Sequence, residues 1–191
     1  MIYEQKVHCN PGKSGVKTVF VFSCPGREEE EKRRPVSGAT GKNFRKFLKL
    51  CKSVNPVVFP HEDGLIGNEL MYSYPITNAY DKVYFNKKNG RSEAKDSEIK
   101  DPKNIKRLME ELKGYTYVFA CGQKAQIAME EIKRIKPNFF SEEPIYICHL
   151  SNIRLNSKYS GQVLRDVTEL EGNVRVQLVV NEISDRLKEL K

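Results

Sequence analysis

The sequence predicts an α/β protein built on parallel strands. Residues 17–23 (KTVFVFS) and 115–121 (YTYVFAC) are β-rich runs without sustained polar alternation, the pattern of strands covered on both faces. Segments with apolar residues at helical spacing lie between the strand-like runs, and that order implies parallel pairing through right-handed crossovers. Polar residues also recur just past the strands, where an open α/β sheet gathers its ligands.

The 191 residues, 39% of them apolar, fit one domain with one core. Neither an internal repeat nor a separating linker is visible, so residues 1–191 are expected to form a single domain. Lys and Arg number 33 against 25 Asp and Glu, and the net charge of +8 favours a polyanion such as nucleic acid. No run is apolar enough to span a bilayer, and the N-terminal MIYEQKVHCNPGK lacks the apolar core of a signal peptide, so no membrane partner is expected. Five cysteines without a C-x-x-C pair argue against a disulfide framework or a zinc ribbon, and a reducing cytoplasm fits them. The expectation is a monomer with no metal and no cofactor.

In chain order, residues 1–16 read as a polar lead-in with little structure, and 17–23 as the first strand. Residues 28–34 (EEEEKRR) read as a solvated loop. A helix starts at Thr40 or Gly41 and runs through Lys52, with Phe44, Phe47, Leu48 and Cys51 inward. Lys42, Arg45, Lys46, Lys49 and Lys52 crowd its other side, a face suited equally to phosphates or to solvent. Residues 55–69 form a long connection, 70–79 a strand, and 80–101 a mobile polar loop. Residues 102–113 form a helix with Ile105, Leu108, Met109 and Leu112 inward, ended by Gly114. The strand 115–121 leads through Gly122 into a helix over 123–135, stopped by Pro137. Residues 145–149 make the fourth strand, 151–161 a polar loop, and 174–190 a closing helix with Leu178, Ile183, Leu187 and Leu190 inward.

Three polar groups therefore fall at one edge of one sheet: Ser23 with Cys24, Asn78, and His149. Singly each reads as a turn, cap or structural residue. Together they mark one crevice. The stretch 19–43 feeds it, because backbone N–H groups beside Gly26 and near Gly38–Gly41 can face an anion or a polar ring.

The blocks VFVFSCPGREEE, RRPVSGATGKNFRKFL, ITNAY, YVFACGQKAQIAM and ICHLSNIRLN resemble successive blocks of the uracil-DNA glycosylase superfamily. The likeness is greatest to the group with a G-E-x-P-G motif followed by G-R-P-F-V-G-x-x-G, and it covers roughly residues 17–155. It implies a three-layer α/β/α fold with a central four-stranded parallel sheet, and a flipped nucleotide at the strand tips. Carried over by position, Asn78 would read a pyrimidine edge with its amide donor and acceptor. His149 would donate to the base O2 as negative charge develops there. Ser23, Cys24, Pro25 and Gly26 would line the opposite side. Ser151 would contact a phosphate, with Asn152 beside it. Ile153 would fill the gap left in the base stack.

The departures are specific. No cysteine spacing matches that group's iron–sulfur ligands, so no cluster is expected. Ser23 stands where that group has Glu, and Cys24 where other groups place a water-positioning Asp or Asn. Glu28, Glu29 and Glu30 read as loop charges. The stacking-aromatic position appears as Val36 or is displaced, and the smaller side chain implies room for a base bulkier than uracil. DNA repair is the expected role, and defence against foreign, phage-like modified DNA the alternative. Rival readings are a Cys24–His149 nucleophile–base pair and a non-catalytic DNA-binding module. Gly38-Ala39-Thr40-Gly41-Lys42 lacks the first Gly and the final Ser or Thr of a phosphate-binding loop, which argues against an NTPase.

Overall fold

Phe and Val alternate along β1 (Thr18–Phe22), and the pleat sorts them to opposite faces. Phe20 and Phe22 join one apolar cluster, Val19 and Val21 another. The computed structural model describes residues 6–159 and 168–190, with side chains from 174 onward in the last helix. Within it β2 (Ile76–Asn78), β3 (Tyr117–Cys121) and β4 (Ile145–Ile147) join β1 in one all-parallel sheet of order β2-β1-β3-β4. Phe22 sits opposite Asn78, and Cys121 opposite Ile147, so the strands end nearly level.

The connections are α1 (Arg27–Lys32), α2 (Ala39–Val54), α3 (Gly67–Tyr72), α4 (Asn86–Asn89), α5 (Asp96–Ile99), α6 (Pro102–Leu112), α7 (Gln123–Ile135), α8 (Asn152–Tyr159) and α9 (Thr168–Glu189). Helices α2, α3, α8 and α9 cover the Phe20 face, where Phe20 meets Phe44 at 4.6 Å and Phe119 at 5.0 Å between ring centroids. Helices α5, α6 and α7 cover the Val face through Ile99, Leu108, Ala128 and Met129. The result is the three-layer α/β/α arrangement. Among the described residues no helix is long and apolar enough to cross a membrane.

Several local expectations are corrected. Residues 27–32 are helical, not a loop: the Glu29 carboxylate reaches back to accept from the Gly26 N–H at the helix start. The second strand is only Ile76–Asn78. The residues before it form α3, which buries Leu70 and Met71, and Pro75 sits at the strand entry. The region 80–101 is ordered around buried Tyr80, Tyr84, Ala94 and Ile99. Residues 152–159 form α8, which buries Leu155 and Tyr159. In α9, Val176, Val179 and Val180 are buried with Ile183 and Leu187, as is Leu190 just past its end, whereas Leu178 is half-buried.

The lead-in is also structured over its described part. Asn10 exchanges backbone hydrogen bonds with Ile76 (2.8 and 2.9 Å), and its side chain donates to the Tyr72 and Tyr74 carbonyls. That covers the open edge of β2. His8 Nε2 then bonds Glu111 Oε1 at 3.0 Å, and Glu111 also accepts from Arg107 and Thr77. Burial pulls the His8 pKa down, but hydrogen bonds to Cys9 and Glu111 outweigh it and lift the group to about 9. A cationic staple therefore ties the lead-in to α6.

Candidate functional site

The chain builds the sheet outward from β1 to β2, then returns to place β3 on the other side of β1. At such a reversal the connections leave in opposite directions and open a crevice beyond the strand tips. A cavity of about 190 Å³ lies there, and Ser23, Cys24, Gly26, Val36, Asn78 and His149 are on its wall. Asn78 and His149, 71 residues apart in sequence by their numbers, thus face one space. A second cavity of about 260 Å³ adjoins it, sharing Ser23, Glu93 and His149 and extending over Gly122 and Lys124 at the start of α7.

Asn78 is fixed by its backbone. It is the last residue of β2, its carbonyl accepts from Arg107 Nη2 at 3.0 Å, and the residue is 3% exposed. Its Oδ1 is buried with no hydrogen-bond partner. A buried acceptor without a donor costs about 1–3 kcal/mol, so this oxygen calls for a donor from outside the protein, an ordered water or a bound ligand.

His149 is positioned from three sides. Gly122 (φ +97°) lets β3 turn into α7 and brings the backbone so close that a Cβ there would sit 2.8 Å from His149 Cβ. Phe22 meets the imidazole edge-on at 6.2 Å between centroids. The Ser151 N–H donates to His149 Nδ1 at 3.2 Å. With Nδ1 an acceptor, the neutral ring carries its proton on Nε2. Burial, aided by the charge of Arg154, pushes the His149 pKa down to about 4. The ring is therefore a neutral Nε2–H donor at neutral pH.

The Cys24 thiol is pushed up by burial, which keeps it protonated. It lies 3.9 Å from Ser23 Oγ and 4.0 Å from the Ser92 carbonyl, and among the described residues it makes no hydrogen bond to His149. That environment opposes a thiolate nucleophile. Pro25 is buried away from the cavity wall, where its carbonyl accepts from the Tyr84 N–H at 2.9 Å. It shapes the turn without lining the space.

Ser151, Asn152 and Ile153 open α8 rather than line either cavity. Ser151 Oγ accepts from the Arg154 N–H at 3.4 Å. Asn152 Oδ1 accepts from Asn43 Nδ2 at 2.7 Å, and the same Asn43 amide donates to the Leu150 carbonyl at 2.8 Å. This locks the loop after His149 to α2 and leaves Ile153 81% exposed beside it.

The sequence reading took Glu29 for a loop charge and Thr40 for a helix start and did not single out Glu93, yet all three also line this cavity. Glu29 Oε2 accepts from the Gly26 N–H and Oε1 from the Ser37 N–H, both at 3.0 Å. A carboxylate is thereby fixed on the wall. The Gly26-x-x-Glu29 capping spacing was the available signal. Val36 adopts φ +54°, an uncommon conformation for a β-branched residue, and is buried against the cavity. Strain of this kind persists only where its surroundings enforce it. Here the Val36 carbonyl packs where a Cβ on Gly41 would be 2.2 Å away. No family model matches the chain, and no curated protein matches it either.

Proposed function

We propose that the chain is a DNA glycosylase that extrudes a uracil or modified pyrimidine and hydrolyses its N-glycosidic bond, leaving an abasic site. The observation that supports this most is the pairing of an orphaned acceptor, Asn78 Oδ1, with a neutral donor, His149 Nε2–H, on one cavity of base size. A pyrimidine edge offers the complementary pattern, a ring or exocyclic N–H beside a carbonyl. A net charge of +8 suits the polyanion that would carry it. Ile153 would occupy the gap in the stack.

On this reading the C1′–N bond breaks heterolytically and its electron pair leaves with the base. His149 strengthens its hydrogen bond to O2 as negative charge builds there, without transferring its proton. Water adds to C1′, and its proton passes to solvent or to a wall carboxylate. Glu29 and Glu93 are the carboxylates on that wall, and they partly answer the absence of one at Ser23 and Cys24. One observation favours bulkier modified bases, as foreign DNA can carry: the second cavity continues from the first across Ser23, Glu93 and His149. Duplexes each bearing one base lesion, incubated with the protein and then treated with alkali, test the proposal. Cleavage at a pyrimidine lesion supports it, and the size of the accepted bases separates repair-type from bulky substrates.

A further inference from the structure

We propose that the outer face of α2 is the surface on which duplex DNA beside the extruded nucleotide docks; this rests on the DNA reading above. Helix α2 (ATGKNFRKFLKLCKSV) has five cations and no acidic residue, and Phe44, Phe47, Leu48 and Cys51 are its buried side. Lys42, Lys46 and Lys49 stand at i, i+4 and i+7, a single stripe that spans about 10 Å at helical rise. Among the described residues none of the three has a carboxylate within ion-pair distance, whereas Lys52 pairs with Asp63 at 2.7 Å. The other long helices intersperse their charges: Arg107 with Glu111 in α6, Arg134 with Glu131 in α7, Lys188 with Asp185 in α9.

Folding does not call for this stripe. Like charges at i, i+4 repel, and a cation near a helix N-terminus opposes the helix dipole. The stripe also starts at the site. Thr40 lines the base-sized cavity, and Asn43 holds the loop that presents Ile153. It then leads away from the cavity mouth along the helix. Phosphates recur every 3.4 Å or so along a strand axis, so about three fall within its length. A regularly charged polyanion continuous with the flipped nucleotide fits that placement.

The test is fluorescence anisotropy of the full chain with a lesion-free labelled duplex over a salt series. The Lys42→Gln, Lys46→Gln, Lys49→Gln triple variant is compared with Lys103→Gln, Lys106→Gln, Lys113→Gln, which removes the same charge from α6 and the residue after it. The slope of log affinity against log salt should flatten by about two to three units in the α2 variant and stay near wild type in the control. Single α2 variants should each lose about one unit, which keeps the test open if the triple variant folds poorly. A wild-type slope in the α2 variants, an equal loss in the control, or binding to anionic vesicles in place of DNA overturns the docking face. Abasic product is scored on the same samples: wild-type binding without product sinks the glycosylase reading alone.

Discussion

The Ser151 N–H and the burial of its ring give His149 its chemical character: one fixes the proton on Nε2, the other keeps the ring neutral. On the proposed reading His149→Ala should lower the single-turnover rate by about 10²–10³, the usual loss for one charge-stabilising donor. The pH dependence has a definite sign. The unfolded imidazole titrates near 6.5 and the folded one at about 4, so the unfolded state binds more protons between those values. Stability should therefore fall as pH drops from 6.5 to 4, and fall less in His149→Ala. The acid limb of activity from this group should lie near pH 4. Asn78→Ala should abolish base discrimination and lower activity at little cost in melting temperature, because it removes an acceptor that the fold leaves unpaired. Gly122→Ala should lose activity and stability together, since φ +97° and a 2.8 Å approach to His149 both exclude a Cβ.

Helix α2 links the core, the cavity wall and the loop that follows β4. Asn43 is its pivot, with both amide hydrogens on that loop. Asn43→Ala should cost about 1–3 kcal/mol in denaturant unfolding and should loosen the placement of His149 and Ile153, lowering activity further than stability alone requires. Elements with strong periodicity were legible in the sequence: α2, α6, α7, β1 and β3 stand within a few residues of their expected bounds. Shorter elements were not, apart from β4, expected over 145–149 and found at Ile145–Ile147. Helix α1 is a charge run by composition, and only its cap betrays it. Residues 67–72 and 76–78 merge into one apolar stretch in which neither period dominates. The site was legible where side chains sit at strand tips, as Asn78 and His149 do. Glu29 was not, because its approach to the cavity depends on a turn at Gly26 and on Ser37 across a loop.

The whole molecule is a parallel sheet between two helical layers, closed at its β2 edge by the lead-in. The His8–Glu111 staple gives that closure a pH signature opposite to that of His149. Its folded pKa of about 9 exceeds the unfolded value of 6.5. The stabilisation is thus fully present below pH 6.5 and is lost as pH rises through about 9. Glu111→Gln should lower stability by about 2 kcal/mol at pH 7 in urea unfolding, with a smaller deficit at pH 10. At the same scale, a net charge of +8 accompanies a cavity beyond the strand tips that Asn78 and His149 share, with Ile153 exposed at the start of α8. The most direct measurement is alkali cleavage of a panel of single-lesion duplexes after incubation with wild type, His149→Ala and Asn78→Ala. The account predicts strand scission at a pyrimidine lesion by wild type and its near loss in both variants. Intact duplexes across the whole panel, or scission undiminished by His149→Ala, would contradict it.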